Sequence, residues 1–337
     1  MKKGKVLKLE ENRKYWLCPL YNFQCFSNKV ELTKGFRIIP SWKELRKYMM
    51  EYYVDWPKAS SFKYIIIYPQ VKNIPSLTEA EKNWLSLFYI NHWLFWLISA
   101  LRLCHSGVII PGPLISAQLD ITSTKAKYNL DVYGWSNIPT EFGYFEGEIA
   151  FEGVGLDFDT KTNTAFYKFH KKDVSMTNSI MNTFEMLFST SDMNKLNEIL
   201  KRFNSSYYGS LDDRLIDQMI AFESLFLGDP DELIYKLATR ITFFLEKDEC
   251  ERIKIFNIIK KAYNFRSKIV HGSKKVNNKE LKAILPLTED YLRRSINRFL
   301  PLFTQGNTLD IMKNGKKDTL AKLDENILTN GKTLRVP

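Results

Sequence analysis

Arg266 and His271 stand five residues apart at the end of the apolar-periodic stretch IIKKAYNFRSKIVHGSKK. Imidazole is the side chain that titrates nearest neutrality, so His271 is suited to moving a proton. At 100° per residue, five positions separate Arg266 and His271 by roughly 140° around a helix axis. They are therefore not a same-face pair. Either the helix distorts at its end, where Gly272 offers a left-handed stop, or a second copy of the chain completes the site. Other candidate groups lie upstream. Ile216, Ile220, Glu223 and Leu227 fall at i, i+4, i+7 and i+11, which places a carboxylate in an apolar helical stripe. Burying it unpaired would be costly, so it is expected to be either neutral or paired with a cation. Lys236 and Arg240 are four apart on one face of the following helix, and Arg240 is the expected partner of Glu223.

These residues require helices to position them. In RLIDQMIAFESLFLGDPDELIYKLATRITFFL the period is helical on both sides of a turn. Asp229 fits the cap, Pro230 the first helical position and Glu232 the third residue after the cap. Leu233, Leu237, Ile241 and Phe244 give that second helix its apolar side. A third helix runs from about 250 to 271, with Ile258, Ala262, Phe265 and Ile269 as its buried stripe.

Helical periodicity holds from about 173 to 303, whereas the front of the chain is mostly strand-like. KYIIIYP at 63–69 is a short apolar run closed by Pro69, the pattern of a buried strand. QLDITSTKAKYNLDVYGW and FGYFEGEIAFEGVGLDFD continue the strand pattern toward residue 172. Between them and the first strands, residues 78–106 are expected to form one long helix, with Gly107 as its stop. The expected class is α+β: a β-rich mixed N-terminal domain over 1–172, a helical bundle over 173–303, and a polar C-terminal tail over 304–337.

The chain has 337 residues, 45% hydrophobic and 26% charged, which excludes wholesale disorder and fibrous repeats. Four scattered cysteines without a C-x-x-C pair argue against a disulfide framework, a structural zinc site or a redox dithiol. The basic start lacks a continuous apolar run, so it does not read as a signal peptide, and a cytoplasmic location is expected. WLSLFYINHWLFWLISALRLC at 84–104 is long enough to span a bilayer. It carries Asn91, His92 and Arg102, which are expensive in lipid, so a buried helix without stable membrane association is the preferred reading.

Net charge is +11, unevenly spread. Residues 247–298 hold 14 Lys+Arg against 6 Asp+Glu, a net of +8, leaving +3 for the other 285 residues. Lys260, Lys261, Lys268, Lys274 and Lys275 flank Arg266 and His271 and can draw in a polyanion.

RLIDQMIAFESLFL, DELIYKLATRITFFL and IKIFNIIKKAYNFRSKIVHG in this order resemble the HEPN domain, specifically its Apea-like branch. The family's R-x4-H motif corresponds to Arg266-Ser-Lys-Ile-Val-His271, followed by Gly272. Its first-helix acid falls on Glu223, its second-helix bases on Lys236 and Arg240, and the polar residue after the motif arginine on Ser267. The resemblance covers about residues 210 to 275. It implies a helical bundle that forms a homodimer, with two R-x4-H motifs facing each other in one composite site. It also implies metal-independent endoribonuclease activity by 2′-OH transesterification, needing no cofactor, often in antiviral defence, abortive infection or a toxin role. Arg266 and His271 would be catalytic with help from Ser267. Glu223, Lys236 and Arg240 would support the site, the five lysines would bind RNA, and the N-terminal domain would sense a protein or ligand trigger. The alternative is a non-catalytic HEPN module that binds RNA, a nucleotide or a protein partner.

Rival chemistry is weaker. Asp157 and Asp159 would share one strand face and could hold a divalent cation, although solvent-facing acids are the commoner case. None of His92, His105, His170 and His271 has zinc-ligand spacing, and His105 is expected to be structural. There is no glycine-rich phosphate loop. Basic and aromatic residues do not interleave along the chain in a way that marks a base-stacking platform.

Overall fold

In a computed structural model of the chain, the residues described are 14–41, 46, 63–69, 79–111, 114–120, 127–133, 167–188, 191–207, 209–227, 233–272, 276–304 and 315–329. They form two compact units. One comprises residues 1–98, 107–150 and 163–178; the other comprises 99–106, 151–162 and 179–337.

The first unit is built on an antiparallel sheet. Its strands are β1 (Lys14–Tyr21), β3 (Val30–Glu31), β4 (Arg37–Pro40), β5 (Tyr64–Pro69), β6 (Ile110–Pro111), β7 (Leu114–Asp120) and β8 (Lys127–Tyr133). The order is β3-β4-β5-β1-β7-β8, with β6 also pairing β1. β2 (Phe23–Cys25) instead pairs in parallel with β9 (Tyr167–Phe169). The run at 63–69 is the expected buried strand, lying between β4 and β1. Ile65, Ile66 and Ile67 are all buried. Consecutive strand residues point to opposite faces, so this run is covered on both. The second half of the expected strand pattern, including Asp157 and Asp159, lies outside the described residues.

Helix α1 (Glu79–Cys104) matches the expected long helix, and the chain leaves it through Gly107 at φ +139°. A side chain at Gly107 would meet the Tyr167 backbone at 3.0 Å, so glycine is required for both conformation and space. No helix among the described residues is long and apolar enough to cross a membrane.

Residues 99–106 belong to the second unit, and Arg102 shows why. It is 1% exposed. Its guanidinium donates to the Asn204 side chain at 2.8 Å and stacks over the Tyr207 ring at 4.3 Å. Tyr207 in turn donates to Glu289 at 2.9 Å, and Glu289 lies 3.8 Å from Arg293. A charged side chain is thus accommodated in an apolar helix because polar partners surround it.

The second unit is helical. Helix α2 (Lys171–Leu187) begins in the first unit and ends in this one. It is followed by α3 (Ser191–Ser205), α4 (Leu211–Phe226), α5 (Leu233–Leu245), α6 (Glu249–Val270), α7 (Asn278–Thr304) and α8 (Gly315–Leu328). The described residues are therefore α+β in class. Ser210 and Asp213 make a reciprocal capping box that starts α4, and Asp248 caps α6. The Asp229, Pro230 and Glu232 turn is outside the described residues. α4 packs on α3, α5, α6 and α7, while α5 packs on α6 and α8. Phe226, Phe244 and Phe299 meet with ring centroids 4.6–5.3 Å apart where α4, α5 and α7 converge.

Two expectations change. The segment expected to be a polar tail contains α8, whose Leu320 and Leu323 are buried. The apolar centre of α4 is Leu215, Met219, Phe222 and Phe226; Ile216, Ile220 and Glu223 lie only half-buried beside it. The helix has a broad apolar face, and a four-residue stripe found its flank rather than its middle.

Candidate functional site

The candidate site is the C-terminal half of α6 and the side of α4 against it. α6 buries Ile255, Ile259, Ala262, Tyr263 and Phe265. This leaves Arg266 and Ser267 at the edge of the packed face and His271 exposed. The Arg266 guanidinium lies 3.7 Å from the Glu223 carboxylate, each side chain 24% exposed. The Tyr263 ring is 6.0 Å from that guanidinium. Burial pushes the Glu223 carboxyl above its usual value, and the Arg266 charge opposes that shift. Burial also raises the Tyr263 phenol; Glu223 adds to the rise and Arg266 counters it.

Of the two expected states of Glu223, neutral or beside a cation, a cation is present, but it is Arg266 and not Arg240. Arg240 is buried and donates from Nε and Nη2 to the two Asp324 oxygens at 2.8 and 2.7 Å. Its Nη1 donates to the Phe226 carbonyl at 2.7 Å. The planar fork matches a carboxylate edge, and α8 supplies one. Arg240 therefore braces the bundle and does not touch Glu223. Lys236 is half-buried and forms no ion pair among the described residues.

At the end of α6 the expected left-handed stop is present. The His271 amide donates to the Ser267 carbonyl at 3.0 Å, and Gly272 has φ +63°. An added Cβ at Gly272 would meet nothing within 4 Å, so only backbone conformation demands glycine there. No hydrogen bond joins Arg266 to His271. They leave the helix in different directions, as their spacing requires. Two buried atoms in the pair, Glu223 Oε1 and Arg266 Nε, have no hydrogen-bond partner among the described residues.

The lysines are unequal. Lys260 and Lys268 are exposed and without an ion pair among the described residues, whereas Lys261 is held by Glu280 at 2.9 Å. Lys261 and Lys268 both lie over the Phe265 ring, at 5.2 and 5.8 Å. Lys274 and Lys275 fall outside the described residues. Of the other histidines, His105 bonds the Ser106 carbonyl at 2.9 Å, and burial pushes His92 down to about 4. No group of three or more His, Cys, Asp or Glu among the described residues is arranged to hold a metal ion.

Three contributors escaped the sequence reading: Tyr263, Asp324 and the Arg102–Glu289 network. Tyr263 could have been found from its i, i+3 spacing to Arg266. Asp324 could not, because its partner lies 84 residues away. No family model, curated protein or solved structure matches this chain.

Proposed function

We propose that this chain is a metal-independent endoribonuclease of HEPN type, acting in the cytoplasm as a homodimer. The observation that carries the reading is the half-buried pair of Arg266 on α6 and Glu223 on α4, with Arg266 little more than one turn before an exposed His271, and with Glu223 Oε1 and Arg266 Nε lacking hydrogen bonds among the described residues. Buried polar atoms normally find partners, so an unpartnered ion pair close to an exposed imidazole is a place where a ligand or another chain could supply the missing group.

In this mechanism the RNA 2′-OH attacks the adjacent phosphorus and the P–O5′ bond breaks. The products are a 2′,3′-cyclic phosphate and a 5′-OH. Two copies bring two imidazoles to one site: one takes the 2′-OH proton, and the other gives a proton to the leaving 5′-oxygen. Arg266 binds the phosphate oxygens as charge builds on them, while Glu223 holds its guanidinium in place. Ser267 lies beside Arg266 and offers a hydroxyl to the same phosphate. DNA lacks the attacking hydroxyl and is not a substrate. The front unit would regulate the site or select its substrate, consistent with a defence or toxin role.

The deciding experiment incubates purified protein with RNA in EDTA beside a His271→Ala variant and maps the cut ends. Cyclic phosphate ends made by the wild type alone support the reading. Cleavage by neither protein, or equally by both, overturns it. RNA binding without scission would instead favour the non-catalytic module.

A further inference from the structure

The exposed face of α6 carries more than the R-x4-H pair. At 100° per residue, Ile253, Phe256, Lys260, Asn264 and Ser267 all fall within roughly 60° of the direction of His271. Ile253 is 61% exposed, although it is a large aliphatic residue. Beside Phe256, α5 contributes Tyr235, which is 64% exposed. The two rings meet edge to face, with centroids 5.6 Å apart and planes at 77°. The Lys260 ammonium lies over the Phe256 ring at 5.3 Å.

This arrangement combines three features: an aromatic ring open to solvent, a second ring in edge-to-face contact with it, and a cation over that second ring. Edge-to-face contact leaves the Tyr235 ring free to receive another flat group. Neither Lys236, next to it in the chain, nor Lys260 has a carboxylate partner among the described residues. A protein partner that covered only the apolar part would bury these ammonium groups without compensation. Self-association through this patch would gather the unpaired ammonium groups of both copies into one interface. A single-stranded nucleic acid satisfies both features, because every nucleotide carries a stacking face and a phosphate.

We propose that Tyr235 and Phe256, with Lys260, form a stacking subsite for an unpaired base of single-stranded RNA. The choice of RNA as ligand rests on the ribonuclease reading of Arg266 and His271. Phe256 lies 15 residues before His271, about 22 Å along the helix. At a stacked rise of 3.4 Å that is about six nucleotides. Lys260 and Lys268 lie along this path and hold the intervening phosphates. The subsite fixes where a strand enters the scissile site and sets a minimum substrate length.

The test uses the full-length protein and an uncleavable 2′-O-methyl RNA 12-mer, with 2-aminopurine placed at each position in turn. The wild type should quench the fluorophore most at one position, roughly six nucleotides from the bond that is cut in the natural RNA. Tyr235→Ala should abolish that quenching and weaken binding about tenfold. Tyr235→Phe should retain both, and Phe256→Leu should reduce both. Unchanged quenching and affinity in Tyr235→Ala overturn the subsite, as does a change from dimer to monomer with affinity per protomer intact, which would mark the patch as a subunit interface. Cleavage of natural RNA in EDTA is scored separately. Tyr235-dependent binding without cleavage overturns the ribonuclease reading and leaves the subsite standing. Cleavage with Tyr235-independent binding does the reverse.

Discussion

Arg240 and Asp324 form a two-pronged ion pair, Nε and Nη2 each donating to one carboxylate oxygen at 2.8 and 2.7 Å. Arg240 is buried on α5, while Asp324 is on α8 and 44% exposed on its side chain. The pair fastens the last helix to the bundle that carries Arg266. Asp324→Ala leaves the guanidinium with only the Phe226 carbonyl, and should lower stability by about 1–2 kcal/mol after allowing for the exposure of the carboxylate. Ending the chain at residue 314 should cost more, because burial of Leu320 and Leu323 is lost as well. Denaturant melts of the three proteins check the order.

Glu223 holds Arg266, so its removal should reach the chemistry through the guanidinium. Glu223→Ala is expected to reduce cleavage, and Arg266→Ala to reduce it roughly 100-fold or more. Arg266→Lys should recover little, because an ammonium lacks the planar fork. Single-turnover cleavage rates, with far-ultraviolet circular dichroism to check folding, separate loss of chemistry from loss of structure.

The two unpaired lysines should contribute differently from the paired one. Each of Lys260→Ala and Lys268→Ala should lessen the salt dependence of RNA binding, changing the log–log slope by about 0.7. Lys261→Ala should change it less, since Glu280 already holds that ammonium at 2.9 Å. Titrations between 50 and 200 mM salt resolve the difference.

Glu289 supplies a pH signature. Its carboxyl is raised by burial, against lowering by the Tyr207 hydrogen bond and by Arg293, Arg214 and Arg102. A raised folded-state value favours the protonated form. Stability from this group is therefore fully present below the ordinary carboxylate range and is lost as pH rises through the raised value. Relative to Glu289→Gln, the wild type should be most stable at low pH, and its advantage should shrink toward neutrality. Thermal melts of both proteins across that range provide the measurement.

Local pattern was enough to locate helix α1, the buried strand at 64–69, helices α4 to α6 and the glycine stop after His271. These depend on neighbours within a few residues, and periodicity, caps and breakers record such neighbours directly. The roughly 140° divergence of Arg266 and His271 was also legible, since it follows from helix geometry alone. Choice of partner was not. Arg240 was the expected cation for Glu223, and only the packing of α4 on α6, with α8 occupying Arg240, put Arg266 there instead. Arg102 read as a costly charge in an apolar run until Asn204, Tyr207 and Glu289, far along the chain, surrounded it. Tyr235 and Phe256 carry no sign of each other in the sequence, and the basic–aromatic face exists only because α5 lies against α6. Charge pairing and ring contact require proximity in space. Across 21 to 187 residues of separation, that proximity is decided by tertiary packing.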